Sequence, residues 1–541
     1  MIPKNLRQTR AAKAQKSRSK VVSLPAPVGG WNARDSIAAM DEEDAVDLIN
    51  WFPQTTDVVM RYGSVAQNAV SSVAETLMAY EGGTTEILIA ASNNFLVDTL
   101  IPAIAGAPAV SSLRFSSVRT LNNRFQYVNF ATSGGNYIMA VNGADLPWLF
   151  DGSSWTNPSI TGITSTRSLI GVNAHKFRLW FVESGTLKAY YLPTSSIAGA
   201  LSTLDLSSIF TRGGYLMAMA TWTIDAGYGV DDLAVFVTSE GEVAIYRGTD
   251  PASSSTWALV GIFMIGTPIG RRCFTKYKGD LLIICQDGLL PLSGALQSSR
   301  LNPKVALTDK IQFAISTAIA SYGGNFGWQV IPFPKQNMIV LNVPILSSGS
   351  GPSSPTQSEQ YVMNTITGAW GRFQGWNATC FEIFNDELYF GNGSSSNGVP
   401  EDVIRAWVGT VDAGSIAITT NALQAFSYFG SPGQVKRMTS MRPVMMATGA
   451  MNMDAEIAVN FNRNYTDAGY QSFSPNALTA SLWDSATWDS GVWVDDFAII
   501  DPRLGATGVG YSVAPRLRTS SSTVNMKWLA TDIVLEPGAV L

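Results

Sequence analysis

Short alternations of apolar and polar residues, each ending in a tight-turn dipeptide, dominate the middle of the chain. Phe125–Phe130 alternates with a period of two, and Tyr137–Val141 ends at Asn142-Gly143, a pair typical of two-residue hairpin turns. Hairpins of the same kind are indicated at residues 177–192, 232–246 and 281–292. The pattern predicts a mainly β fold with few short helices.

The hairpins recur roughly every 40 to 60 residues between residues 75 and 415, each followed by an aromatic residue. Repetition of this kind predicts a β-propeller of about six blades, because each blade is a small twisted sheet stacked on its neighbours. A pair of β-sandwiches is the alternative. One helix is expected within the repeats, over Thr308–Ser321, where Ile311 and Ile315 fit a helical face.

The two ends of the chain differ from this repeating middle. Asp41, followed by three acidic residues, is typical of a helix start, so we expect a short helix over residues 42–50 that ends before Pro53. Beyond residue 416 the strands lengthen, as in Ala455–Phe461, and predict a sandwich or a mixed sheet.

Charge is low and unevenly distributed. Charged residues make up 14% of the 541 residues, well below the roughly 25% of ordinary soluble domains, which favours a protein that buries surface in an assembly. The whole chain carries −5 and residues 1–20 contain seven cations and no acid, so residues 21–541 carry −12. The basic arm has three interpretations: a solvated tail, a contact with an acidic neighbouring subunit, or electrostatic binding of nucleic acid.

Residues suited to chemistry are scarce. The single histidine, His175, precedes a predicted strand and cannot form a histidine metal cluster. Cys273, Cys285 and Cys380 are widely spaced and odd in number, which favours buried free thiols over a disulfide framework or a zinc site. No nucleophile elbow or phosphate loop is present. We expect no enzyme activity, no cofactor, no metal and no membrane span.

Three tryptophans, Trp483, Trp488 and Trp493, repeat with a spacing of five near the C-terminus. They suit either packing and subunit contact or a platform on which sugars stack. A spacing of five on a strand puts successive side chains on opposite faces, which favours packing and contact.

Motifs at both ends carry a family resemblance. The N-terminal motifs are Gly29-Gly30-Trp31-Asn32, Asp35, Asn50-Trp51-Phe52-Pro53 and Arg61-Tyr62-Gly63. The C-terminal motifs are Phe426–Gly430, Lys436-Arg437, Met441-Arg442-Pro443 and the tryptophan repeat at 483–493. In this order they resemble the tail tubular or nozzle proteins of short-tailed phages (podoviruses), whereas the middle of the chain is similar only in its β character.

The resemblance implies a structural protein of the virion tail. Such proteins form a hexameric tube below the portal and adaptor, through which genomic DNA passes without being read, and they contact tail fibre or spike proteins. Their N- and C-terminal segments build one platform. The expected division is therefore a basic arm at 1–24, platform segments at 25–74 and 416–541, and the propeller at 75–415.

Two other functions remain open at this point. One is a host-surface adhesin in which the propeller or the tryptophans bind glycan. The other is a propeller glycosidase, whose paired carboxylates would have to be recognised by their separation in space.

The negative charge of residues 21–541 favours the DNA conduit over these two functions, because an acidic body repels phosphates within a screening length of about 10 Å.

Overall fold

The computed structural model describes residues 19–70, 72–83, 85–102, 112–225, 230–297, 305–346, 356–393, 402–464, 471–473 and 497–540. The chain is mainly β, with six propeller blades and a second β region built from both ends of the chain, as predicted. No helix in these ranges is long and apolar enough to span a membrane. The described residues do not include most of the arm at 1–24, residues 347–355 or the repeat Trp483, Trp488 and Trp493.

Six short strands precede the propeller. They are β1 (Lys20–Pro25), β2 (Gly30–Trp31), β3 (Asp44–Ile49), β4 (Trp51–Pro53), β5 (Val58–Met60) and β6 (Ser64–Ala69). The helix expected over 42–50 is wrong, because the chain forms β3 there. β3 pairs in parallel with β2, and Asp44, Ala45 and Val46 are all buried. The carboxylate of Asp44 is held by Lys310 rather than by the dipole of a helix.

The first four blades are meanders of four strands around a common centre. Their strands are β7 (Ala74–Glu81), β8 (Glu86–Ser92), β9 (Phe95–Asp98) and β10 (Val118–Arg119); β11 (Gln126–Thr132), β12 (Gly135–Val141), β13 (Trp148–Phe150) and β14 (Trp155–Thr156); β16 (Leu169–His175), β17 (Arg178–Glu183), β18 (Lys188–Tyr191) and β20 (Ser202–Asp205); and β21 (Leu216–Asp225), β22 (Val230–Thr238), β23 (Glu242–Gly248) and β24 (Trp257–Met264). β15 (Ile160–Thr161) and β19 (Gly199–Ala200) form a small parallel pair beside them.

The fifth and sixth blades lie on either side of a connecting region of the chain. The fifth blade has β25 (Phe274–Tyr277), β26 (Asp280–Cys285) and β27 (Gly288–Pro291). The helix α1 (Gln312–Tyr322) follows, near the position predicted. A meander of β28 (Gln329–Phe333), β29 (Met338–Leu346), β30 (Thr356–Asn364) and β31 (Trp370–Gln374) comes next. The sixth blade has β32 (Ala378–Phe384), β33 (Glu387–Asn392) and β34 (Asp402–Ala406), and β6 closes it as the fourth strand.

Two large sheets form the platform. The C-terminal strands are β35 (Val411–Asp412), β36 (Ile416–Gln424), β37 (Gln434–Ala447), β38 (Met451–Val459), β39 (Gln471–Phe473), β40 (Ala498–Ile500), β41 (Leu504–Gly510), β42 (Val513–Ser521) and β43 (Met526–Val540). The platform sheet has the order β4-β5-β43-β37-β40, with β1 on β43 and β41 on β37. The bridging sheet runs from β28 through β31, β3, β36 and β42 to β38 and β39, and thus continues from the propeller into the platform.

One hydrophobic core lies between the two large sheets. Trp51, Trp528 and Met445 of the platform sheet pack in the same buried cluster as Leu48 and Leu517 of the bridging sheet. Burying side chains of this size contributes roughly 1.5–3 kcal/mol each. The two ends of the chain therefore fold as one body.

Candidate functional site

The motif residue Arg61 lies at the junction between the propeller and the platform and is fully buried. Its Nε donates to Asn50 Oδ1 at 2.9 Å, and its Nη1 donates to Asp412 Oδ1 at 2.8 Å and to the carbonyl of Tyr62 at 3.0 Å. Its Nη2 donates to the second oxygen of Asp412 and to the carbonyl of Gln374 at 2.7 Å. All five N–H groups of the guanidinium are thus satisfied, which a buried cation requires.

Asp412 and Asn50 extend this Arg61 cluster into neighbouring elements. Trp376 donates its indole N–H to Asp412 at 3.1 Å, and the Arg61 guanidinium lies 5.1 Å from the centre of its ring. Asn50, at a φ of 59°, donates to the carbonyl of Thr419 at 2.8 Å. The cluster therefore connects the N-terminal segment, the end of the meander, and β35 and β36.

The other motif residues of this segment work through close backbone contact. A Cβ on Gly63 would lie 1.9 Å from the carbonyl oxygen of Val411, so only glycine fits there. Trp51 is buried against Trp528, with ring centres 6.3 Å apart. The Pro53 carbonyl accepts from Asn364 Nδ2 at 2.9 Å. The motif from Asn50 to Gly63 is thus a packing and hydrogen-bonding unit.

The motif from Gly29 to Asp35 forms a second polar cluster against the propeller. Asn32, 1% exposed, donates to Asp44 at 2.7 Å and to Asp35 at 2.8 Å. Lys310 Nζ, from the turn before α1, contacts Asp44 Oδ1 at 2.5 Å and the carbonyl of Gly29 at 2.8 Å. The hydrogen bond from Arg34 lowers the pKa of the Asp35 carboxyl to about 2.

Gly30 and Trp31 give this second cluster its packing. Gly30 has a φ of 81°, and a Cβ there would lie 2.6 Å from the Trp370 carbonyl oxygen. Trp31 is buried edge-on to Tyr361, with ring centres 5.1 Å apart, and the Arg372 guanidinium lies 5.3 Å from the centre of its indole ring. Both N-terminal motifs therefore hold the N-terminal segment against the connecting region between the fifth and sixth blades.

The C-terminal motif residues lie in β37, beside β43. Arg442 donates to Asp532 across the strand pair at 2.5 and 3.0 Å, and Arg437, 70% exposed, faces Glu536 at 4.0 Å. Among the described residues, β41 pairs up to Met441 and β40 from Met445, so Pro443 falls between them. A proline is tolerated in this long strand because no described strand pairs with it on that side.

The histidine and the cysteines, for which the sequence predicts no reactive role, are all buried. His175 is 2% exposed, between Trp180 and Trp257, and burial lowers its pKa to about 4. Burial also raises the pKa of Cys273 and Cys285 to about 12, so neither is a ready thiolate at neutral pH. Among the residues that the structure describes, no group of three or more His, Cys, Asp or Glu is arranged to hold a metal ion.

The blades surround a central cavity, which we call the tunnel. Its wall contains a carboxyl group, that of Glu382, which belongs to none of the sequence motifs. A cavity of about 220 Å³ is lined by the first strands of the blades and by β28. Burial raises the pKa of Glu382 in this wall to about 7, although a hydrogen bond with Tyr127 opposes the shift. Burial likewise raises the pKa of Tyr127. Glu382 and Tyr127 come from the sixth and second blades, so no local sequence pattern connects them.

No family model matches this sequence, and no curated protein does either. Solved structures give weak matches. The BBS1N chain in complex with ARL6DN is 8% identical with a TM-score of 0.34, over 65% of this chain and 99% of that one. The Myceliophteria thermophila Cps50 (Swd1) β-propeller domain is 10% identical with a TM-score of 0.39, over 64% and 99%. An exo-β-1,3-galactanase from Phanerochaete chrysosporium is 7% identical with a TM-score of 0.25, over 75% and 95%.

Proposed function

We propose that this chain is a structural subunit of the virion tail of a short-tailed phage, which assembles into a ring that conducts DNA. The observation that carries the proposal is the pairing of the two ends of the chain. β1 runs antiparallel to β43, and β6 closes the sixth blade of the propeller. A subunit built this way presents one rigid wall segment instead of two hinged modules.

Rigid coupling suits a part whose function is its shape. The bridging sheet continues from the β28–β31 meander, which lies in the chain between the fifth and sixth blades, through β3 into the C-terminal strands. Backbone hydrogen bonds therefore join this connecting region to the platform, and β6 joins the N-terminal segment to the sixth blade. The Arg61 cluster adds buried polar contacts at the same place. Relative motion of the two parts would break both sets of bonds.

A surface for ring contacts lies on the outer face of the platform sheet. Val21, Ile499 and Val509 are 62%, 62% and 59% exposed, on β1, β40 and β41. Val509 is paired with Arg437, and Arg437 with Glu536, so apolar and charged groups alternate on this face. Apolar groups interleaved with charges fit a contact with a different face of the next copy, which closes a ring when the rotation allows it.

Purification of the full chain and measurement of its mass as a function of concentration tests the proposal. We expect hexamer-sized rings, visible by negative-stain electron microscopy, whose formation is strengthened by a phage adaptor. Val509→Asp should shift the mass toward monomer, whereas Val305→Asp, at a valine 45% exposed away from this face, should not. A wild-type chain that stays monomeric at every concentration and in the presence of an adaptor would contradict the proposal.

A second candidate function is binding of host glycan. The observation that favours it is a cationic cavity at one mouth of the propeller tunnel, described below. Binding of host lipopolysaccharide by the full chain, measured by surface plasmon resonance, would support this candidate. Retention of that binding after loss of the cavity's arginine Arg271 would count against it.

A further inference from the structure

A cavity of about 320 Å³ opens beside the tunnel of the propeller. Its wall combines Arg124 before β11, Arg271 and Arg272 before β25, and the glycine-rich turn that carries Phe326. Gln126, Arg271 and Arg272 also line the tunnel cavity, so the two cavities adjoin. A space of this size lies at the lower end of the range for small-ligand sites. We call these four residues, the three arginines and Phe326, the tunnel-mouth cluster.

Arg271 has no protein partner among the residues that the structure describes. The residue is exposed and lines both cavities, and no hydrogen bond or ion pair joins it to a described residue. An arginine carries five N–H donors in a planar fork that matches the two oxygens of a carboxylate or a phosphate. Arg271 therefore offers a fork without a described protein partner in the wall of a concave site.

Arg272 and Arg124 are held in place beside it. Arg272 Nη2 donates to Thr76 Oγ1 at 2.7 Å and to the carbonyls of Glu75 and Phe125 at 3.2 Å each. Arg124 Nε donates to Glu75 at 2.9 Å. The two guanidinium groups lie 5.3 and 4.3 Å from the centre of the Phe326 ring, which orients both. Positions fixed before binding lower the entropic cost of capturing a ligand.

The local charge is positive. Three guanidinium groups converge, and Glu75 is the carboxylate that pairs with one of them. Glu382, deeper in the tunnel, has a pKa raised to about 7 by burial, so it is only partly ionised at neutral pH. A cationic cavity in a protein with an acidic body raises the local concentration of anions.

We infer that the tunnel-mouth cluster is a binding site for the carboxylate or phosphate group of a monosaccharide-sized acid. The fork of Arg271 binds the oxyanion and the charge of Arg272 adds to the attraction. Gln126 lines the same cavity and supplies an amide for hydrogen bonds with sugar hydroxyls. Nothing in this inference depends on ring assembly, because the cluster lies on the propeller and Val21, Ile499 and Val509 lie on the platform sheet.

Isothermal titration calorimetry of the full chain with four probes tests the inference: glucuronate, glucose 6-phosphate, inorganic phosphate and glucose. We expect both sugar acids to bind at millimolar or lower concentration, at least tenfold more tightly than glucose and more tightly than inorganic phosphate. Arg271→Gln should weaken both at least tenfold, or about 1.4 kcal/mol. Arg119→Gln, at an exposed arginine on β10, is the matched control and should change neither.

Each other result overturns part or all of the inference. No binding of either sugar acid, or equal binding by Arg271→Gln, rules out the site. Equal affinity for glucose rules out the oxyanion as the recognised group, and equal affinity for inorganic phosphate rules out the sugar. The mass of each sample, measured in parallel, separates these results from a failure of ring assembly.

Discussion

Two arginines in this protein, Arg61 and Arg271, differ in how many of their N–H groups donate to protein oxygens. Arg61, at the junction, is fully buried and all five of its N–H groups donate to protein oxygens. Arg271, at the tunnel mouth, forms no hydrogen bond with any residue that the structure describes. The first arrangement leaves no donor for a ligand, and the second leaves all of them. Chemically identical side chains thus indicate structure in one region and binding in the other.

The same contrast extends to the surrounding backbone. At the junction, Gly63 and Val411 approach so closely that no side chain fits between them. At the tunnel mouth, a Cβ on Gly324 would meet nothing within 4 Å. The junction is therefore packed as a core, whereas the tunnel mouth keeps space that a core would have filled. Variants of the two regions should respond differently, and the following four predictions run from the largest expected effect to the smallest.

Arg61→Gln should cost the most stability. The change leaves the carboxylate of Asp412, which is 5% exposed, without its cation, and breaking a buried pair in this way costs about 3–5 kcal/mol. Urea denaturation followed by tryptophan fluorescence measures the loss. The double variant Arg61→Gln with Asp412→Asn removes the stranded charge and should recover part of the stability. A single variant within 1 kcal/mol of wild type would show that the cluster is not needed at the junction.

Gly63→Ala should have the next largest effect. Its added methyl would lie 1.9 Å from the Val411 carbonyl oxygen, and because that oxygen belongs to the backbone the strain is not relieved by rotating a side chain. Overpacking of this kind costs about 1–3 kcal/mol. Gly324→Ala is the matched control, for which we expect no loss and a gain of up to about 1 kcal/mol from the less flexible unfolded chain. Similar melting temperatures for the two variants would remove the contrast in packing.

These clusters also show which parts of the molecule the sequence predicts. Period-two alternation and glycine turns correctly predict hairpins such as Arg178–Tyr191 and Asp280–Pro291, because strand pairing there is local. The helix expected over 42–50 was wrong, because the partners of Asp44 include Lys310, which is remote in sequence. Long-range pairing overrode a local helix signal.

For the same physical reason, sequence patterns identify only some of the residues in the two clusters. The N-terminal motifs include Arg61 and Asn50, and these two do meet, at 2.9 Å. Asp412 is absent from any motif, although it completes the cluster. The tunnel-mouth arginines come from the start of two blades and Phe326 comes from a turn. Only the closure of the propeller brings them together. The dipeptide Arg271-Arg272, directly after Gly270, is the one local signal that was present.

Glu382→Gln, a substitution in the wall of the tunnel, should change how the stability of the protein depends on pH. The folded state holds the Glu382 proton up to a pKa of about 7, whereas the ordinary value is 4.5. Its contribution to stability is therefore complete below about pH 4.5 and is lost as the pH rises through about 7. We expect the variant to lack this decline, so its melting temperature should fall less than that of the wild type between about pH 4.5 and pH 7.

Melting temperatures of both proteins, measured at intervals from pH 4 to pH 8, test this prediction. His175 contributes in the opposite direction, because its folded pKa is lowered to about 4 and its stabilisation is lost as the pH falls from 6.5. Both proteins keep His175, so subtracting one curve from the other isolates Glu382. Parallel curves across the window would show that Glu382 titrates as an ordinary carboxyl.

Arg271→Gln should barely change stability, and this small effect sharpens the comparison most. The variant removes no hydrogen bond to a described residue, and it reduces repulsion among three neighbouring cations, so we expect the free energy of unfolding to stay within about 0.5 kcal/mol of wild type. Arg61→Gln is the same substitution with the opposite expectation. A loss at Arg271 as large as at Arg61 would mean that the tunnel-mouth cluster holds the blades together. Unchanged stability together with weakened binding of sugar acids would instead show that Arg271 binds a ligand. The arginine that has no protein partner in the cavity would then have a partner from outside the chain.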